Sequence, residues 1–433
     1  MVDDPTNPDP FAVLAKEDPS QLIEFVEQLQ NAVDLSAVDA DRMAQRIDKL
    51  EDDREQLRSR LDQTRDQLAT IRSHPFGRLA SRLTRAAPRP DIHTADPDTS
   101  EPTQGEGKLR VASILDEISD ACWSPEFNNV RLVRQSWRKQ IESSPPDLLF
   151  VESAFNGVDG SWGRRVAHFG GPHTELVELV EHFQNLGIPT VFWNKEDPVN
   201  YAWFIGAASL FDHVFTVDSH QVPRYRQQLG HERVHVLPFA AQPTLHFPPP
   251  SGAHRTGSVA FAGSYYARKH AERRKQMDML LVPALEFGLE IYDRMGDTED
   301  PRFAWPERFR SCIVGSVPYA EMGDVYRKHK LFLNVNTVTN SPSMCARRVF
   351  ELAATGTPIV SGPSRALEAM IPPGIVAVVN SSEDASQAIR RILDEPSGQS
   401  TQAGPEWIAD GHTYGHRLAT ITEVLESSIA PPG

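Results

Sequence analysis

The chain has 433 residues, enough for two α/β domains and an appendage, and 39% hydrophobic and 24% charged residues mark a soluble globular protein. A formal net charge of −15 argues against a nucleic-acid partner, because neutralising phosphates takes a basic surface. Cys122, Cys312 and Cys345 match no zinc or CxxC spacing, no apolar run is long enough to span a bilayer, and the opening MVDDPTNPDP lacks the apolar stretch of a signal peptide, so a cytoplasmic protein is expected.

Residues 1–19 read as disordered. Over 20–73 a heptad seam runs from Leu22 and Val26 through Ala40, Ile47 and Leu57 to Leu68 and Ile71, with weak points at Ser36, Arg54 and Thr64. The unbroken alternation of four and three predicts a coiled coil and a homo-oligomer, with a long helix packed on its own domain as the alternative. Residues 74–107 follow. Arg72, Arg78, Arg82, Arg85 and Arg89 have no acidic residue among them, and Phe76, Leu79 and Leu83 share a helical face. This is either an amphipathic contact for the inner, anionic face of a membrane or a solvated linker. Residues 87–107 are a Pro-, Asp-, Thr- and Gly-rich connection.

Residues 108–245 alternate strands with helices, the pattern of a doubly wound parallel sheet. Helices are expected over Asn129–Glu142, Thr174–Leu186 and Val222–Leu229. Strand after strand ends in a carboxylate: Asp116, Glu152, Glu196, Asp197 and Asp218. All belong on the carboxyl edge of the sheet, where α/β proteins bind ligands. Glu196 or Asp197 is the candidate catalytic base, and Asp116, Glu152 and Asp218 are acceptor-side candidates. Any one of them can instead cap the following helix.

Residues 246–400 begin with a hinge, PPPSGAHRTG, and repeat the alternation. The strand SVAFAGS ends at Gly263-Ser264-Tyr265, where a glycine admits a ligand close to the backbone, and Arg268, Lys269, Arg273 and Arg274 follow. A second strand leads to Arg294. A third, LFLNVN, sends Asn334 and Asn336 to one face and opens a polar loop containing Ser341 and Ser343. A helix is expected from about Pro342, carrying Arg347, Arg348 and Glu351 and stopped by Gly356-Thr-Pro. Arginines at a loop-to-helix junction can hold phosphates and a carboxylate can hold a sugar diol; an ordinary βαβ unit with a charged helix face is the plain alternative. Residues 401–433 form a last helix and tail. The Asp-x-Asp pairs Asp39/Asp41 and Asp96/Asp98 fall outside both domains, and His168, His213 and His270 have no ligand spacing, so no metal site is expected.

The order Ser343, RRVFE, G-T-P and a hydrophobic strand resembles the donor-site segment of group 1 (GT-B) glycosyltransferases. PDLLFVES, IPTVFWNKEDP, FDHVFTVDS, VLPFAAQP and HTYGHR resemble, more closely, the CgeB-like (spore maturation protein) branch. Together these motifs cover roughly residues 108–420. The resemblance implies a GT-B fold, two doubly wound Rossmann-like domains, here preceded by a coiled-coil helix. It implies a metal-independent glycosyltransferase without cofactor, moving sugar from a nucleotide-sugar, expected to be UDP-linked, to a glycan, lipid-linked or envelope-related acceptor. Donor binding is carried over to Gly263, Ser264, Tyr265, Arg273 (with Arg274 as competitor), Arg294, Asn336, Ser341, Ser343, Arg347, Arg348 and Glu351. Glu351 occupies the second of the family's paired glutamate positions; the first is Ser343. The alternatives are a nucleotide-sugar epimerase on the same fold and a degenerate GT-B scaffold.

Overall fold

The computed structural model describes residues 108–267, 269–296, 298, 300–395 and 402–429. The expected disordered start, coiled coil and basic segment fall within 1–107, outside the described residues.

The first sheet has six parallel strands: β1 Arg110–Ile114, β2 Asn128–Arg131, β3 Leu148–Glu152, β4 Thr190–Asn194, β5 His213–Thr216 and β6 Val234–Val236. Their spatial order is β2-β1-β3-β4-β5-β6. Every position of β3 (LLFVE) and β4 (TVFWN) is buried, as expected of near-continuous apolar strands covered by helices on both faces. Those helices are α1 Glu117–Trp123, α2 Trp137–Ser143, α3 Thr174–Asn185, α4 Tyr201–Ala208 and α5 Val222–Leu229. In α3, Leu176, Leu179, Val180 and Phe183 form one buried stripe at helical spacing. Helix α5 stops at Gly230, whose φ of 71° is the left-handed value that ends a helix at glycine.

The helix expected over Asn129–Glu142 is not present as such. Asn128–Arg131 is the edge strand β2, paired with β1 from Arg110↔Asn128 to Ser113↔Arg131, and helix begins only at Trp137. Val130, Val133 and Trp137 happen to have helical spacing. The open edge of β1 offers this short segment a ladder of backbone partners, and tertiary pairing overrides local pattern.

The second sheet is also six-stranded and parallel: β7 Gly257–Ala262, β8 Leu289–Tyr292, β9 Ile313–Gly315, β10 His329–Asn334, β11 Ile359–Ser361 and β12 Val376–Val378, in the order β12-β11-β10-β7-β8-β9. Its helices are α6 Ala271–Ala284, α7 Glu307–Arg310, α8 Met322–Lys328, α9 Arg347–Ala354, α10 Arg365–Met370 and α11 Ser382–Asp394. Ser381 caps α11 by accepting the Asp384 N–H at 3.1 Å. Helix α9 begins five residues later than expected, at Arg347, because the Ser341 hydroxyl accepts the backbone N–H groups of Ser343 and Met344 and holds that segment as a loop.

Two such sheets are the architecture of the GT-B fold. Two more helices, α12 Ala403–Gly411 and α13 Tyr414–Ile429, follow. Although α13 comes after the second domain in sequence, it packs on the first: Tyr414 meets Trp123 edge-on at 4.9 Å, and Arg417 donates to the carbonyls of Pro238 and Phe239. Trp123 also meets Phe150 at 4.9 Å and Trp193 at 5.8 Å, an aromatic knot in which each buried ring contributes roughly 1.5–3 kcal/mol.

Candidate functional site

Each sheet has one place where strand order reverses. In the second it lies between β7 and β10, and open α/β sheets bind ligands in the crevice such a reversal leaves at the carboxyl ends of the strands. At the end of β7 the chain turns through Gly263 with φ 144°, a conformation side chains rarely adopt. A Cβ there would also lie 3.4 Å from the Phe261 ring and 3.6 Å from Arg273 Nη2. The glycine thus leaves backbone open beside an arginine.

Around this turn three buried polar atoms, Ser264 Oγ, Arg273 Nε and Arg348 Nε, have no hydrogen-bond partner among the described residues. Arg348, at the start of α9, stands over the Phe261 ring at 5.8 Å, and Arg273 Nη1 reaches Thr337 Oγ1 at 3.4 Å. Neither arginine has a carboxylate partner among the described residues. Burial, then the charges of Arg348 and Arg294, depress the Arg273 guanidinium to about 10. The site thus concentrates positive charge, and part-buried cations with no carboxylate partner among the described residues favour an anion. Arg294 itself is exposed. Tyr265 is buried against Trp305 at 5.3 Å.

Arg347 and Arg348, adjacent in sequence, serve different neighbourhoods. Arg347 Nε pairs with Glu351 Oε1 at 3.2 Å, one helical turn on, and its guanidinium lies 5.6 Å from the Tyr319 ring. Glu351 is only 2% exposed, and its two oxygens accept the hydroxyls of Tyr319 and Tyr326, each at 2.6 Å. Burial opposes its ionisation, but His246, Arg347 and the two tyrosines outweigh it and hold the carboxyl below its usual range. The residue expected to meet a ribose is therefore engaged inside the protein in this arrangement. Tyr319 also contacts Cys122 Sγ of the first domain at 3.2 Å, and burial pushes that thiol up to about 12.

The loop before α9 spans the two domains. Ser341 Oγ donates to Asp218 Oδ1 at 2.6 Å; Ser343 Oγ donates to the Val217 carbonyl at 3.0 Å and accepts the Ser219 N–H at 2.8 Å. Asp218, at the end of β5, also accepts from the His220 N–H and from Gln221 Nε2. Asp218, Ser341 and Ser343, assigned from sequence to acceptor and donor, form one clasp. Asn336, buried in the second domain, is not part of it and bonds instead to Asn334, Ser361 Oγ and the Gly362 carbonyl.

In the first sheet the order reverses between β1 and β3, whose ends carry Asp116 and Glu152. Sequence reasoning passed over the residue that joins them. Lys195, after β4, places Nζ 2.7 Å from Glu152 Oε1 and 3.4 Å from Asp116 Oδ2. Its only sequence signal was its place among the strand-end charges. Glu152 is fully buried; desolvation raises its pKa despite Lys195, and its Oε2 has no hydrogen-bond partner among the described residues. Asp116 accepts the N–H groups of Phe155, Asn156 and Gly157 and so pins the loop after β3.

Glu196 and Asp197, neighbours in sequence, part company. Asp197 is 0% exposed and accepts from Thr216 Oγ1 at 2.6 Å and Asn194 Nδ2 at 2.9 Å; burial lifts its carboxyl to about 7. Glu196 is half-buried, and its Oε2 accepts Asn200 Nδ2 at 2.8 Å. Of the two, Glu196 is the one a solvent-borne group can reach.

Among the described residues no group of three His, Cys, Asp or Glu side chains is arranged to hold a metal ion, and no helix is long and apolar enough to cross a membrane. A groove of about 580 Å³ runs between α6 and α10, past Glu272, Gln276, Thr339 and Ser364. Gly263, Arg273 and Arg348 are not among its lining residues.

Residues 266–423, about a third of the chain, match the family described as Glycosyl transferase-like. No curated protein matches the chain. Among solved structures, the chain is similar to Anabaena HepE in complex with UDP-glucose, at 12% identity, covering 74% of this chain and 100% of that one with a TM-score of 0.47. A glycosyltransferase from Rickettsia africae is similar at 10% identity, 75% and 100% coverage and a TM-score of 0.46. A sucrose-phosphate synthase from Thermosynechococcus elongatus is similar at 12% identity, 74% and 99% coverage and a TM-score of 0.45. These are distant likenesses. The chain has the GT-B fold, and its second domain and C-terminal helices are similar to the glycosyl transferase-like family.

Proposed function

We propose that the protein is a glycosyltransferase using a nucleotide-sugar donor, of the CgeB-like branch and with a UDP-linked sugar. The observation that supports this reading is the cluster of Arg273 and Arg348, part-buried and without a carboxylate partner among the described residues, at the Gly263 turn of the second sheet. A diphosphate there has the open backbone of Gly263, the Ser264 hydroxyl and two guanidinium groups to neutralise it. The same groups stabilise the nucleoside diphosphate as it leaves. On the facing domain Glu196, oriented by Asn200, is the base that takes the proton of an acceptor hydroxyl. Asp197 shapes the loop that presents it.

Incubating the protein with UDP-glucose, UDP-galactose, UDP-N-acetylglucosamine, GDP-mannose and dTDP-glucose, each with and without methyl glycosides as acceptors, tests this. Acceptor-dependent release of nucleoside diphosphate upholds transfer; conversion of donor alone points to epimerisation. The seal of Tyr319, Tyr326 and Arg347 around Glu351 favours one further reading, a non-catalytic GT-B scaffold. Its signature is failure to bind any nucleotide.

The heptad seam at 20–73 and the arginines from Arg72 to Arg89 extend the proposal to a homo-oligomer resting on an anionic membrane surface, at the inner face of the membrane, where a lipid-linked or envelope acceptor is within reach. Ultracentrifugation of the full chain, and its co-sedimentation with phosphatidylglycerol vesicles, test the two parts separately.

A further inference from the structure

We infer that Trp203 and Phe169 form an aromatic platform that binds a sugar ring of the acceptor. The two side chains are 46% and 66% exposed and meet edge-on at 5.8 Å. Touching, exposed aromatic rings give up burial worth having, so a soluble domain that keeps them has a use for them.

The platform is built into the fold. The His168 N–H donates to the Trp203 carbonyl at 2.9 Å, tying the loop after β3 to α4. Gly206 of α4 lies so close to the Gly171 backbone that a Cβ there would come within 2.4 Å of it. His168 Nδ1 and the Gly171 carbonyl, 3.0 Å apart, brace the turn that carries Phe169. Both loops follow strands of the first sheet at its carboxyl edge. Glu196 stands on the same connection: the Trp203 N–H bonds the Asn200 carbonyl at 3.0 Å, and the Asn200 side chain bonds Glu196.

The surroundings choose the ligand. A pyranose has one face of C–H groups, attracted to the electron-rich face of an aromatic ring, and a rim of hydroxyls. Glu196, Asn200 and His168 offer that rim donors and acceptors. An acyl chain laid on the same rings would meet those polar groups uncompensated. This rests on the transferase reading only in naming the sugar as acceptor.

The test uses tryptophan fluorescence. Of the seven tryptophans, Trp203 is the one that is exposed; Trp407 is half-buried and the rest are buried. Acrylamide quenching is measured on the full chain with maltotriose, cellotriose or chitotriose, and separately with phosphatidylglycerol vesicles. The platform predicts that a trisaccharide shields Trp203, and that Phe169→Ala, an exposed site, weakens that binding about tenfold while leaving nucleotide-induced thermal shifts unchanged. Shielding by vesicles alone, or by nothing, overturns it. Shielding without any nucleotide shift keeps the platform and removes the transferase reading; a nucleotide shift without shielding does the reverse.

Discussion

Asp218 Oδ1 and Ser341 Oγ lie 2.6 Å apart across the two domains, and both residues are buried. Two positions along, Ser343 bonds the Val217 carbonyl and the Ser219 N–H. A short loop of the second domain is thus fastened to the end of β5 in the first, just before the helix that carries Arg348. Ser343, a donor-site candidate from sequence, here helps to hold the domains together.

Ser341→Ala therefore leaves Asp218 with one donor fewer in a buried setting. We expect a loss of about 1–3 kcal/mol in denaturant melts. Ser343→Ala should cost less than that when added to Ser341→Ala, because both act on one clasp; a double-mutant cycle reads the coupling.

Arg273→Gln should separate binding from stability. The wild-type guanidinium is part-buried and repelled by Arg348 and Arg294, so removing it leaves the melting temperature of the free protein unchanged or raised. Diphosphate affinity should fall about 10- to 100-fold, as for a lost charge-assisted hydrogen bond. Calorimetric titration with UDP and a parallel melt check the two halves.

Lys195→Met strips Glu152 of its counter-charge in a fully buried position, and we expect about 3–5 kcal/mol of destabilisation. Adding Glu152→Gln should recover part of it. Equal melts for the single and double variants would contradict the ion-pair account.

Asp197 gives a pH signature. Its pKa is raised from 3.8 to about 7, so the folded state holds this proton more tightly than the unfolded chain. The resulting stability is present below the unfolded value and is lost as pH rises through about 7. Urea melts between pH 4 and 8 should show that decline, and Asp197→Asn, which mimics the protonated form, should flatten it.

The fold was largely legible in the sequence because parallel strands buried on both faces write themselves as apolar runs, as in LLFVE and TVFWN, each punctuated by charge. The turn at Gly263, with Arg273 close by, was legible for a related reason: the glycine and the arginines are close together in sequence. What stayed hidden depends on partners far away in the chain. Glu351 looks free until Tyr319 and Tyr326 close on it, Lys195 looks like one more strand-end charge until Asp116 and Glu152 converge on it, and Ser343 looks like a loop residue until Val217 meets it. The pair Glu196-Asp197 could not be divided from sequence, because a single residue's step turns one carboxylate inward to Thr216 and the other outward to Asn200.

The most direct test of the proposed diphosphate site is a thermal-shift screen of the full chain against UDP, GDP, dTDP, ADP and CMP and their sugar conjugates, repeated with Arg348→Ala. Ligand that binds only the folded state raises the melting temperature by mass action. The account predicts a rise with one nucleotide family that Arg348→Ala abolishes. No rise with any nucleotide, or an equal rise in Arg348→Ala, would contradict it.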